Sequence, residues 1–306
     1  MKITTFNNQT INLNINYPNG NLIALPALID PHVHFRTPGH EYKENWKTGA
    51  KAAIAGGVTT VFDMPNTTPS TVSTSALQHK KEIIDAQLNE AEIPLHYKLW
   101  FGATPDNLIG IEKIGRLSTR DGSALGGKDY KDYVIGIKVF MGSSTGDLLV
   151  DKKKDQAQIF KLAHELNLPV AVHAESEANI QYSRFKIKNP HVHDHSKIRR
   201  REAAIEAVTQ AIELADTYHA KLYILHTSTK EEMELIKQAK KDNISVFAEV
   251  TPHHLFLTED DYNILGTKAQ MNPPLRTLED QDALWDGILD GVIDTRYRSK
   301  LLLPKP

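Results

Sequence analysis

From Pro26 onward, short apolar runs alternate with longer amphipathic stretches, and no other feature of this 306-residue chain restricts its fold as much. Such alternation is the mark of a parallel sheet covered by helices, because consecutive parallel strands can be joined only by a crossover. The strand candidates are ALIDPHVH (27–34), VTTVFDM (58–64), LHYKLWFG (95–102), VIGIKVFMG (134–142), PVAVHAE (169–175), KLYILHTS (221–228) and ISVFAEVT (244–251). Helices are expected over 43–56, 75–90, 105–116, 155–167, 197–219, 229–241 and 279–290. A closed (β/α)8 barrel of the TIM type has one strand and one helix more than these seven pairs, and needs about 250 residues. The fold expected is therefore α/β, an incomplete barrel of about seven βα units that lacks its last strand.

Residues 1–25 are Asn-rich and alternate at Ile11, Leu13 and Ile15, so they predict one or two small strands outside the main core. The barrel is expected over 26–295 and an aberrant tail over 296–306. The 36 Lys and Arg against 38 Asp and Glu leave a formal charge of −2, with no electrostatic footprint for nucleic acid or an anionic membrane. No apolar run approaches the ~18 residues of a membrane span, and MKITTFNNQTINLNIN has no secretory h-region, so a cytoplasmic location is expected. There is no cysteine, which excludes disulfides, thiol catalysis and thiolate ligands. Any metal must be held by histidine and carboxylate-type groups, for which 14 histidines leave room.

In a β/α barrel the chemistry collects at the C-terminal strand ends. His32 and His34 end the first strand and project to one side, as two ligands of one ion must. An isolated His-x-His is common by chance, but this one lies between an apolar run and a Gly/Pro loop. Lys138 stands near the end of the fourth strand, His173 at the end of the fifth and His226 at the end of the sixth. Taken singly, each reads as a snorkelling lysine or a core histidine bonded to backbone. Together they make a convergent metal site of nitrogen and oxygen ligands. His191, His193 and His195 follow a polar stretch with no strand to direct them, and read as a solvated loop. Of His253 and His254 after the seventh strand, at most one would point inward on extended chain.

The motifs DPHVHFRTPG, GGVTTVFDMPNTTP, GIKVFMGSSTG, VAVHAE, LHTSTKEE, EVTPHHL and MNPPLR occur in this order over roughly 26–295. In these the chain resembles dihydroorotases of the amidohydrolase superfamily, and the resemblance implies a metal-dependent barrel of that kind. It implies that His32 and His34 bind one zinc, His173 and His226 a second, and that Lys138 is carboxylated and bridges the two. Arg36 and Asn66 match residues that hold a substrate carboxylate, and Asn272 a position that contacts the substrate ring. The implied reaction is the reversible cyclisation of N-carbamoyl-L-aspartate to dihydroorotate in pyrimidine synthesis. Relatives with the same metal set open hydantoins, dihydropyrimidines or allantoin; Arg36 and the MPNT motif favour a substrate bearing a carboxylate.

The family pattern continues into an eighth strand ending Asp-x-Ala-Pro-His, whose aspartate is both ligand and proton shuttle. Here LWDGILDGVIDT (284–295) follows the pattern and RYRSKLLLPKP does not; no Asp or Glu follows Asp294, so no catalytic acid/base is assigned. Arg-Tyr-Arg-Ser can be encoded by codons that, shifted in frame, read Gly-Thr-Asp, and the tail is accordingly expected to come from a frameshift. The form in hand is expected to be an impaired enzyme acting on a small molecule. The rival expectation is a non-catalytic homologue serving as a structural partner; a homodimer or a carbamoyltransferase complex would suit it. Survival of all five candidate ligands favours the first.

Overall fold

A computed structural model gives the architecture and describes residues 2–4, 10–12, 26–116, 130–144 and 146–295. Seven parallel strands form one sheet: β3 (Leu28–Val33), β4 (Val58–Asp63), β5 (His96–Gly102), β6 (Val134–Phe140), β7 (Val170–His173), β8 (Leu222–Ile224) and β9 (Val246–Ala248). Each pairs only with its sequence neighbours, and each lies inside the run that predicted it. The sheet curls, so that His32 on β3 meets Glu249, the residue after β9. This is the incomplete TIM-type barrel expected from the alternation. β1 (Lys2–Thr4) and β2 (Thr10–Asn12) form a separate antiparallel pair. The tail expected over 296–306 lies outside the described residues.

Two cores follow from the alternation of strand side chains. Val61, Leu99, Ile137, Val139, Val170, Val172, Leu222 and Ile224 face outward and pack under the helices. Met64, Trp100, Ala171, Tyr223 and Leu225 fill the inside of the curl. Trp100 stacks on Tyr223 with ring centroids 6.0 Å apart and donates from Nε1 to the Pro31 carbonyl at 3.0 Å. Gly136 makes room for that indole: a Cβ there would lie 2.7 Å from Trp100 and 2.5 Å from the Pro169 oxygen. The interior is thus a packed floor beneath the strand ends, and the polar residues at those ends sit on top of it.

The covering helices are α1 (Trp46–Ala55), α2 (Thr74–Ala91), α3 (Leu108–Arg116), α4 (Lys153–Glu165), α5 (Glu177–Lys186), α6 (His195–Ile198), α7 (Arg201–Tyr218), α8 (Lys230–Lys241), α9 (Pro252–Phe256), α10 (Tyr262–Leu265) and α11 (Leu278–Leu289). Asn45 and Ser73 cap α1 and α2, and Thr229/Glu232 and Thr277/Asp280 form capping boxes on α8 and α11. The stretch 197–219, expected as one helix, divides. Arg200 is extended and caps α7, while the Arg199 carbonyl accepts from Arg276 at 2.6 Å instead of continuing a helix. After α11 the chain returns to the edge of β9. There Asp294 N donates to the Ala248 carbonyl at 3.0 Å, and its Oδ2 accepts from Ala248 N at 2.8 Å.

Candidate metal centre

β3 carries His32, with His34 two residues on; Lys138 lies on β6, His173 ends β7, and His226 stands two residues beyond β8. Parallel registry brings them together, since Lys138 is the partner of both Gly102 and Ala171, and Phe140 of His173. The four imidazoles converge in two pairs. His32 Nε2 lies 3.3 Å from His34 Nε2, and His173 Nδ1 lies 3.0 Å from His226 Nε2. Two nitrogens bound to one tetrahedral zinc at ~2.0–2.1 Å stand roughly 3.3 Å apart, so both spacings suit shared ligation. The pairs adjoin, with the His32 and His226 ring centroids 5.5 Å apart.

The electrostatics suit the same use. Burial pushes the pKa of His34 and His226 well below the ordinary imidazole value, and that of His173 below it, leaving neutral rings with lone pairs to give. Lys138 is 1% exposed, with Nζ 4.3 Å from the Phe140 ring centroid, and burial drives its pKa well below the usual lysine value. An uncharged amine is the form that can react with CO2. Among the described residues no three His, Asp or Glu side chains group as an ion site by themselves. The Nδ1 of His226, on the side of the ring away from His173, is buried without a hydrogen bond.

Two of these residues hold an unusual backbone. Arg36 has φ 62° and His226 φ 39°, both left-handed. The other non-glycine cases are helix caps, Glu92 and His219, or asparagines. Left-handed arginine and histidine cost energy and collect at functional sites. Arg36 is half-buried and close enough to lower the pKa of His34, with Asp63 as a counter-charge. Asn66 is buried in the turn after β4, beside Gly146. Asn272 is half-buried and hydrogen-bonds His195. Arg36, Asn66 and Asn272 thus stand in loops, and of the three Arg36 acts on one of the four imidazoles, His34.

Three features were not foreseen. His195, read as part of a solvated loop, is half-buried and bonds the Met271 carbonyl at 2.7 Å; His191 and His193 are exposed as expected. His253 and His254 lie on the short helix α9, not on extended chain, and both rings meet the Thr251 hydroxyl. His254 is the buried one, with Nε2 3.2 Å from the Pro273 carbonyl. Glu175 and Glu249, which end VHAE and AE, are buried against His173 and His32; their place directly after a strand was the available signal.

The amidohydrolase family model matches residues 23–295. A dihydroorotase of Methanosarcina mazei is 34% identical over 285 residues, covering 89% of this chain and 57% of the relative. One of Staphylococcus epidermidis is 32% identical over 302 residues, covering 94% and 62%. The chain thus spans little more than half the length of these relatives. Among solved structures, an L-hydantoinase (dihydropyrimidinase) from Arthrobacter aurescens aligns with TM-score 0.77 at 26% identity, covering 88% of this chain and 56% of that one. No helix among the described residues is long and apolar enough to cross a membrane. With seven curled parallel strands, paired histidines at their ends and a family match across the whole barrel, the chain belongs to the amidohydrolase family.

Proposed function

We propose that this chain carries the ion- and substrate-binding part of a zinc-dependent dihydroorotase, which interconverts N-carbamoyl-L-aspartate and dihydroorotate in pyrimidine synthesis. The observation that carries the reading is the convergence of four imidazole nitrogens in two pairs, at 3.3 and 3.0 Å, with a buried lysine on the neighbouring strand. His32 and His34 would hold one ion, His173 and His226 a second, and carboxylated Lys138 both. Bound there, such ions supply Lewis-acid polarisation of a ring carbonyl and acidify a water.

The chain's own residues do the rest. The Arg36 guanidinium, stripped of part of its water, meets the substrate carboxylate with a planar fork, and Asn66 adds an amide donor. Asn272, steadied by His195, would contact the substrate ring. The packed floor of Trp100 and Tyr223 keeps water from entering below. A proton must also move from the attacking water to the leaving nitrogen. Asp294 is committed elsewhere, with Oδ2 on Ala248 N and on the Lys240 ammonium at 2.6 Å, and no acid follows it. Among the described residues Asp294 is therefore not free to carry that proton.

The experiment is zinc analysis together with an assay of dihydroorotate opening, run beside hydantoin and dihydrouracil. Tightly held zinc with ring opening that prefers dihydroorotate supports the proposal. Preference for the uncharged rings would favour a hydantoinase-type activity instead. Absence of zinc, with a stable carbamoyltransferase complex, would favour the structural-partner reading.

A further inference from the structure

Behind each imidazole pair lies a buried carboxylate. Glu249 Oε1 is 2.5 Å from His32 Nδ1 and accepts from the His226 backbone N at 3.1 Å; its Oε2 accepts from the Tyr223 hydroxyl. Glu175 Oε2 is 2.8 Å from His173 Nε2 and is also paired with the Arg199 guanidinium. Arg199 in turn donates to the Ser143 carbonyl, after β6, while its own carbonyl is taken by Arg276. Both carboxylates are almost wholly buried. Each touches the ring nitrogen that faces away from the other imidazole of its pair.

We propose that Glu249 and Glu175 are positioning residues, one behind each pair, that decide which nitrogen of His32 and His173 is left to hold an ion. A carboxylate accepts only, so His32 must carry its proton on Nδ1 and present a lone pair at Nε2. Glu175 Oε2 meets His173 Nε2 as a close electrostatic contact and not as an aligned hydrogen bond, and it too favours the proton on Nε2, with Nδ1 left to present. The two histidines are thus held in opposite tautomers, as the pairing requires: Nε2 of His32 faces His34, and Nδ1 of His173 faces His226. A carboxylate behind a ligating imidazole also raises its basicity and locks its rotation. Glu249 does one thing more. It ties a ring on β3 to the backbone beyond β8 and a hydroxyl on β8, so the two pairs keep their spacing although β3 and β9 are not paired.

The inference rests on the ion-binding reading above, and its test separates the two. Zinc affinity of the full chain is measured by competition with a chromophoric chelator, for the parent, Glu249→Gln and Glu175→Gln. Each variant should bind zinc roughly tenfold to a hundredfold more weakly, the usual effect of losing such a partner. Tyr223→Phe removes a second tie of Glu249 while sparing its imidazole contact, and should weaken binding less than Glu249→Gln does. Because a buried Glu→Gln change can unfold a protein, ring-nitrogen NMR of the metal-free parent gives a second readout. It should find protonated Nδ1 on His32 and protonated Nε2 on His173. Zinc bound equally by parent and both variants, or the reverse tautomers, overturns the proposal and leaves the ion-binding reading standing. A parent that takes up no zinc overturns both.

Discussion

In the proposed centre, Lys138 is the residue on which both ion shells would depend. Lys138→Gln should lower bound zinc from about two ions per chain to one or none, read by elemental analysis. Arg36 is tested by specificity. Arg36→Gln should cost dihydroorotate about 10–100-fold in kcat/KM, the worth of ~1.5–3 kcal/mol for a hydrogen bond to a charged group, while leaving uncharged cyclic amides nearly unaffected. His254 gives a pH dependence. Burial and neighbouring His253 push its pKa down to about 3, so the folded ring stays neutral while the unfolded ring takes a proton below about 6.5. Unfolding then becomes easier as pH falls from about 6.5 towards 3, by up to about 1.4 kcal/mol per pH unit for this ring, and buried His34, His173 and His226 add in the same sense. Urea unfolding of metal-free protein should show that slope, and His254→Gln should flatten it. The five candidate ligands were legible in sequence because strand ends announce themselves. Glu175 and Glu249 were not, because a carboxylate after a strand looks like surface until its partner, 217 residues away for Glu249, is seen.

The loop that carries His34 and Arg36 is anchored by an ion pair between elements. Lys80 on α2 reaches Asp63 Oδ2 at 2.5 Å and the Met64 carbonyl at 2.8 Å, and Asp63 Oδ1 accepts from Phe35 N at 2.7 Å. Neither side chain is more than 1% exposed. Removing one partner strands a buried charge, so Lys80→Met should destabilise the fold by about 3–5 kcal/mol, read as a shifted urea midpoint. All seven barrel strands were readable from apolar runs because both faces are covered, the inner by Trp100 and Tyr223 and the outer by helices. Helix α5 was missed: EANIQYSRFK spreads its few apolar residues without a clear stripe, and only Ser176, accepting from Asn179 N, marks its start. The break between α6 and α7 was invisible too, since it is made by Arg276, far along the chain, and not by a proline or glycine. α9 was hidden by its length, five residues begun at Pro252.

At the scale of the molecule, the sheet has an edge at β3 and another at β9 among the described residues. Ile29 is 60% and Phe247 48% exposed. The whole account turns on two imidazole pairs and one lysine, set side by side by parallel registry, acting as a site for two ions. The most direct measurement is an anomalous difference map, collected at the zinc edge from crystals grown with zinc and bicarbonate. The account predicts two peaks, one between His32 and His34 and one between His173 and His226, with added density on Lys138 Nζ. Peaks only at the exposed His191 and His193, or none at the strand ends, would contradict it.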